Sequence, residues 1–281
     1  MIVIFGATST IGQATIPLLL EAGHTLRLVS RTPEKLAAFA GPNVDIVHAN
    51  LLDEASVRAA CDGANMIFAS VASMLGYGKN AARHVDAEGH RNLINIAVEN
   101  NVEHFVYMST QEATYDNPVS FFRIKAQIED YLRHSGLSYT VLRASAFFSP
   151  HVEMIGEGVL KGGKALIMGQ GDNPRNFIAN CDVARFAVIA LTDPRARNQT
   201  IDIGGPENLT SREVAEVYAR VVGVEAKTQV VPRMVPRVMR QVFKPFYTGM
   251  SDIMAAILDA DTRPKAFDAS PVLETYGVEL T

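Results

Sequence analysis

Residues 3–15 read VIFGATSTIGQAT, and the reading of this stretch decides the fold. Gly6-x-x-Ser9-x-x-Gly12 follows an apolar run and opens an amphipathic one. In a strand–turn–helix, the first glycine permits the tight turn and the last lets helix and strand approach. The free N–H groups of the helix N-terminus then face a diphosphate. The central position, where backbone nears phosphate, holds Ser9 rather than glycine. Serine takes room there, but it is small and its hydroxyl is a donor. Gly6, Thr8, Ser9, Thr10, Ile11 and Gly12 are therefore the expected dinucleotide contacts. A tight turn without a ligand is the plainer alternative.

Working outward, short apolar runs alternate with longer helical patterns. Strands are expected at Ile2–Phe5, Thr25–Val29, Val44–His48, Met66–Ser70, Phe105–Ser109, Tyr139–Arg143 and Thr200–Ile203. Helices are expected at Ile11–Glu21, Pro33–Phe39, Glu54–Cys61, Ala82–Asn100, Ile124–His134 and Asp182–Leu191. Continuous apolar runs suit parallel strands covered on both faces. The alternation predicts an α/β fold with a doubly wound parallel sheet. Gly23 and Gly136 read as left-handed residues ending helices. Pro17 should bend its helix or be tolerated near its first turns. Asp53 reads as a helix cap.

The second strand runs into Ser30 and Arg31, 18 and 19 residues after Gly12. An NAD site would carry a carboxylate there for the ribose hydroxyls. A guanidinium pairs instead with a 2′-phosphate, which favours NADP(H) over NAD(H). A solvated loop charge is the alternative for Arg31. Asn50 and Leu51, at the end of the third strand, fall where adenine would lie.

The chain has 281 residues, 48% hydrophobic and 20% charged, which argues for a large core and against disorder. A net charge of −4 gives no reason to expect nucleic acid. Cys61 and Cys181 make no disulfide framework, and no basic leader or long apolar run stands out; a cytoplasmic location is expected. No histidine spacing suits a metal and no Gly-x-Ser-x-Gly elbow occurs.

After Pro150 the texture changes. Residues 151–175 read as a short helix followed by a glycine-rich loop or hairpin, with His151–Glu153 in loop. Thr210 or Ser211 should cap a helix with Glu213 in its first turn. Residues 1–150 with 176–205 are the expected nucleotide-binding core; 151–175 with 206–281 form a smaller substrate-side cap. Its final 50 residues read as helical with an irregular tail. Arg233, Arg237, Arg240 and Lys244 recur on one helical face, with Val238, Met239, Val242 and Phe243 on the other. That pattern reads as a cap helix with a solvated basic stripe, or else as a surface for a partner or an acidic membrane. Met154, Met168, Met234, Met239, Met250 and Met254 read as core packing or as the lining of a pliable pocket.

GATSTIG (6–12), VSRTPEKL (29–36), VEHFVYMST (102–110), SGLSYTVLRASAFF (135–148) and CDVARFAVIALTDP (181–194) together resemble the NmrA-like group of atypical short-chain dehydrogenases/reductases. The likeness covers roughly residues 1–222. It implies a Rossmann domain with a small substrate-side domain, binding NADP(H) or NAD(H). Members include quinone reductases, reductases of plant phenolics and redox-sensing regulators. The resemblance further implies that Ser70 and Val71 flank the cofactor, that Thr110 stands near the superfamily's catalytic hydroxyl, and that Lys125 matches the lysine of a Tyr-x-x-x-Lys pair. Phe121 occupies the tyrosine position. Tyr115, ten residues before the lysine, cannot replace it by spacing.

Reducing a ketone leaves a basic alkoxide that needs a positioned acid. Reducing a quinone leaves a phenolate-like anion whose parent acid has a pKa of about 10, so water can protonate it. Two readings follow. One is an oxidoreductase acting on a small-molecule acceptor, quinone-like or an activated enone, with Lys125 and Thr110 as its catalytic groups. The other is a nucleotide sensor acting through a protein partner; a homodimer is left open.

Overall fold

The computed structural model describes the backbone of all 281 residues and the side chains of all but 149–154. Six strands come from the first half of the chain: β1 (Ile2–Phe5), β2 (Leu26–Ser30), β3 (Val44–His48), β4 (Met66–Ala69), β5 (His104–Thr110) and β6 (Tyr139–Ala144). A seventh, β10 (Gln199–Ile203), arrives late. The order is β10-β6-β5-β4-β1-β2-β3, with every pairing parallel. Winding reverses between β1 and β4, and in open α/β sheets ligands bind beyond the strand ends at that switch.

Strand alternation splits the core. Ile2 and Ile4 join one apolar cluster, while Val3 and Phe5 join the other. Helices α1 (Thr10–Glu21) and α6 (Asn180–Thr192) cover the first face. Helices α2 (Glu54–Cys61), α3 (His90–Glu99) and α4 (Ser120–Arg133) cover the second. Buried side chains such as Leu19 and Phe68 each contribute about 1.5–3 kcal/mol. Pro17 lies on the exposed side of α1, as does Gln13, whose carbonyl receives no N–H from the proline. Gly23 and Gly136 end their helices at φ +82° and +84°.

Several expected boundaries shift for tertiary reasons. Helix α4 begins at Ser120, four residues before the expected start. The Asp252 carboxylate, from far along the chain, accepts from the amides of Ser120 and Phe121 at 3.0 Å each. The expected helix Ala82–Asn100 is a π-helical stretch, Arg83–Gly89, followed by α3. Asp53 sits at the N-cap of α2 without a side-chain bond; its carbonyl accepts from Ser56 Oγ at 2.9 Å.

The cap differs more. Helix α5 (Phe148–Leu160) runs through 151–153, where a loop was expected. Of the loop or hairpin expected before residue 175, the hairpin does not form. Strand β8 (Ala165–Met168) pairs in parallel with β12 (Thr228–Val231), while β7 (Ala146–Phe147), β9 (Arg175–Ile178) and β11 (Asn208–Leu209) make a separate small sheet. Asp261 accepts from the amides of Gln170 and Gly171, which ties the chain after β8 to α9 (Thr248–Thr262) instead of letting it turn back. Thr210 and Glu213 close a capping box on α7 (Ser211–Val222). Residues of the final helix α10 (Ser270–Tyr276) and the tail, including Leu273, Tyr276 and Leu280, pack on the first sheet cluster rather than on the cap.

Helix α8 (Met234–Phe243) turns its apolar stripe outward. Val235, Val238 and Val242 are exposed, and the inward anchors are Pro236 and the half-buried Phe243. The basic stripe is divided: Arg233 pairs with Asp261 and Arg240 donates to the Pro118 carbonyl, while Arg237 and Lys244 stay exposed. Met254 is buried and Met168 lines a cavity, whereas Met234 is exposed; the Met154 side chain lies outside the described residues.

Candidate dinucleotide and acceptor site

The β1–α1 turn is built so closely that its glycines are obligatory. Gly6 has φ +94°, and a Cβ there would lie 2.7 Å from Ser70 Oγ and 3.0 Å from the Val71 nitrogen. A Cβ on Gly12 would lie 2.9 Å from the Ala7 Cα and press into the Gly6 carbonyl. Ser9 serves as the cap of α1: its Oγ accepts from the Gly12 amide at 3.0 Å and lies 3.4 Å from Ser70 Oγ. The amides of Thr10 and Ile11 have no acceptor among the described residues. Thr8 contributes its carbonyl to Gln13 Nε2. The turn thus brings together Gly6, Ser9, Gly12, Ser70 and Val71, and presents free N–H groups at a helix N-terminus. A diphosphate fits that cradle.

Arg31 extends from β2 and donates to Asn80 Oδ1 at 2.8 Å. It makes no ion pair among the described residues. Asn80 belongs to the loop after β4, and that loop is itself fastened: Ser73 Oγ donates to the Asn80 carbonyl, and the Ser73 amide donates to Asp86 Oδ2 at 2.9 Å. Asn50 uses its side chain locally, accepting from the Leu52 amide at 3.1 Å. Leu51 is buried against Gly89, where a Cβ would meet it at 2.8 Å. Thr110 ends β5, half-buried, with its Oγ1 accepting from the Glu112 amide at 3.3 Å.

Lys125 lies inside the protein, 4% exposed. Its Nζ donates to the Met108 carbonyl at 3.2 Å, lies 3.6 Å from Asp86 Oδ1, and stands 4.7 Å from the centre of the Tyr107 ring. Burial lowers the lysine's pKa and raises that of Asp86, each shift opposed by the partner's charge. Phe121 packs with Val119 and with Ala255 of α9. Tyr115 is exposed, with 59% of its surface accessible.

A family model described as NAD(P)H-binding matches residues 6–194, the stretch that holds this turn, Arg31 and Lys125. The chain belongs to the NmrA-like NAD(P)H-binding family. Its relatives carry varied names. The photosystem II assembly factor Ycf39 of Trieres chinensis is 24% identical over 286 residues, covering 100% of this chain and 89% of the relative. An NAD(P)H azoreductase of Xenophilus azovorans is 27% identical over 223 residues, covering 79% and 74%. The fold is similar to that of an NADPH-dependent quinone oxidoreductase from Escherichia coli complexed with NADPH, with a TM-score of 0.82, 20% identity and 100% and 96% of the two chains covered.

In this NmrA-like chain the polar cluster around Lys125 went unread in the sequence, although a signal was present. Asp86, His90, Leu93 and Ala97 recur at helical spacing, and all are buried. Two polar residues on an apolar stripe mark a buried polar site. His90 Nδ1 donates to the carbonyls of Val85 and Asp86, at 3.2 and 3.1 Å, leaving Nε2 without a partner among the described residues.

Burial, and then the Lys125 charge, hold the His90 pKa down to about 3. A folded-state pKa below the unfolded value stabilises the protein above pH ~6.5 and loses that stabilisation as pH falls towards about 3. Wild-type unfolding free energy should therefore drop by up to ~1.4 kcal/mol per pH unit from this residue over that window. His90→Asn should have a shallower slope in urea melts at pH 7, 6, 5 and 4. Parallel slopes for the two proteins would remove His90 from the account.

Proposed function

We propose that this protein is an NADP(H)-dependent oxidoreductase that reduces a quinone-like or activated-enone acceptor. The observation that carries the reading is Phe121, which stands where a tyrosine acid would stand and is buried against α9. With no acid there, the reaction must leave an anion stable enough for water to protonate, as a reduced quinone does. When bound, the dinucleotide supplies a hydride. The chain's part is to hold the diphosphate on the Thr10 and Ile11 amides, to offer Arg31 to the 2′-phosphate, and to set a cation at Lys125 beneath the end of β5. The names of the azoreductase and quinone oxidoreductase relatives support the same chemistry.

NADPH oxidation with a panel of quinones, enones and simple ketones tests this. Turnover is expected with quinones and not with ketones; silence across the panel despite tight NADPH binding would defeat the reading. Arg31→Glu should cost roughly tenfold or more in NADPH affinity while leaving NADH binding nearly unchanged. Isothermal calorimetry checks it, and an unaltered NADPH-to-NADH ratio would remove Arg31 from the phosphate site.

The second reading is a nucleotide-binding module acting through a protein partner. It is favoured by Lys125, whose amine is turned towards Asp86 and the Met108 carbonyl, and by the name of the Ycf39 relative. It predicts tight dinucleotide binding with no acceptor turnover.

A further inference from the structure

Between α5, β8, β9 and α9 lies a cavity of about 190 Å³. Its walls are largely apolar, with Ile155, Leu166, Met168 and Phe177 among them. The charged residues lining it are Arg175 and Asp261. Asp261 is already committed: it accepts from the Gln170 and Gly171 amides at 2.7 and 3.1 Å, and it pairs with Arg233.

Arg175 has no such commitment. Its guanidinium makes no hydrogen bond or ion pair among the described residues, although Glu112 and Asp259 are the carboxylates whose charges reach it. Both acids are held by other cations. Lys265 Nζ lies 2.7 Å from Glu112 and 2.9 Å from Asp259, and Arg263 Nε lies 3.0 Å from Asp259. Lys265 and Arg263 thus already take up Glu112 and Asp259, and among the described residues no carboxylate pairs with Arg175. A guanidinium stays protonated even where burial opposes its charge. A charged group half-buried without an acceptor is costly, and an incoming anion removes that cost.

The cavity's position ties it to the proposed chemistry. Glu112 follows Thr110 by two residues at the end of β5, and Phe177 pairs in register with Ala146, just beyond the end of β6. An acceptor whose reactive ring lies near Thr110 could extend its far end towards Arg175.

We propose that this cavity receives the distal end of the acceptor and that Arg175 anchors a carboxylate or sulfonate on it, making the substrate class an anionic flat acceptor rather than a neutral one. This rests on the oxidoreductase reading, so the test has two arms. In the first, NADPH oxidation is followed with 1,4-naphthoquinone-2-sulfonate and with unsubstituted 1,4-naphthoquinone. The sulfonate should have the lower KM. Arg175→Met should raise the KM for the sulfonate by about 10–100-fold, the range of a charge-assisted hydrogen bond, and that for the neutral quinone by no more than about threefold. Arg175→Lys should recover part of the loss. Equal KM values in the wild type, or equal rises in the variant, would overturn the proposal while leaving the quinone reading intact.

The second arm needs no turnover. Calorimetry of 2-naphthalenesulfonate should show binding to the wild type, weaker binding to Arg175→Lys and none to Arg175→Met, with thermal melts confirming that both variants fold. Absence of binding to the wild type, with or without NADP⁺, would overturn the anion site whatever the enzyme assays give.

Discussion

Asp86→Leu should destabilise the fold by about 3–5 kcal/mol, the usual cost of stranding one member of a buried ion pair. Asp86 is fully buried and Lys125 nearly so, and their charged atoms lie 3.6 Å apart. Removing the carboxylate leaves an ammonium facing the Met108 carbonyl and the Tyr107 and Phe121 rings. It also strips the Ser73 amide of its acceptor, loosening the loop that carries Asn80 to Arg31. Burial opposes the ionised form of each partner, so the pair is held by mutual attraction against desolvation. The double variant Asp86→Leu/Lys125→Met should therefore recover most of the loss, because apolar replacement of both partners removes the desolvation penalty as well. Urea unfolding of the wild type, both single variants and the double variant closes the cycle. Single variants within ~1 kcal/mol of wild type would mean that the pair is solvated. The double variant also gives a folded protein without the Lys125 charge, in which NADPH oxidation by a quinone separates the lysine's part in turnover from its part in stability.

Gly12→Ala should reduce dinucleotide affinity by about 100-fold or more. The added Cβ would stand 2.9 Å from the Ala7 Cα and against the Gly6 carbonyl, both of them backbone that no rotamer change can move. To make room, α1 must tilt or slide away from β1, and the Thr10 and Ile11 amides move with it. Charge-assisted hydrogen bonds contribute about 1.5–3 kcal/mol each, so misplacing two of them accounts for the expected loss. Overpacking of this kind also costs about 1–3 kcal/mol in stability. Calorimetric titration with NADPH, beside a thermal melt showing that the variant folds, gives both quantities. Wild-type affinity in Gly12→Ala would mean that the diphosphate does not sit on these amides, and the cofactor assignment to this turn would fall with it.

The parts of this protein legible in its sequence are those set by short-range chemistry. The central strands, such as β1 and β4, announced themselves as short apolar runs, because a parallel strand covered on both faces has no polar side to show; the edge strands β3 and β10 alternate instead with exposed residues. The Gly6–Gly12 turn was legible because the demand on Gly12 is local, set by Gly6 and Ala7, and because Gly6 takes a positive φ; the crowding of Gly6 by Ser70 and Val71 is a tertiary contact. A cap at Thr210 or Ser211 was legible for the same reason, and the structure places it at Thr210, whose capping box with Glu213 closes within four residues.

Other features waited for contacts between residues far apart in the chain. The start of α4 depends on Asp252, more than 120 residues later. The environment of Lys125 depends on Asp86 and Met108, from two other elements, so a lysine that could equally have been solvated is one of the most enclosed charges in the protein. The β8–β12 pairing joins residues some sixty positions apart, and the tie of the chain after β8 to α9 depends on Asp261, about ninety residues later. A sequence states which groups are charged or apolar and how closely they follow one another. Which charge meets which across the fold, and which is left unmet, is decided by packing, because desolvation and Coulomb energy act through space and not along the chain.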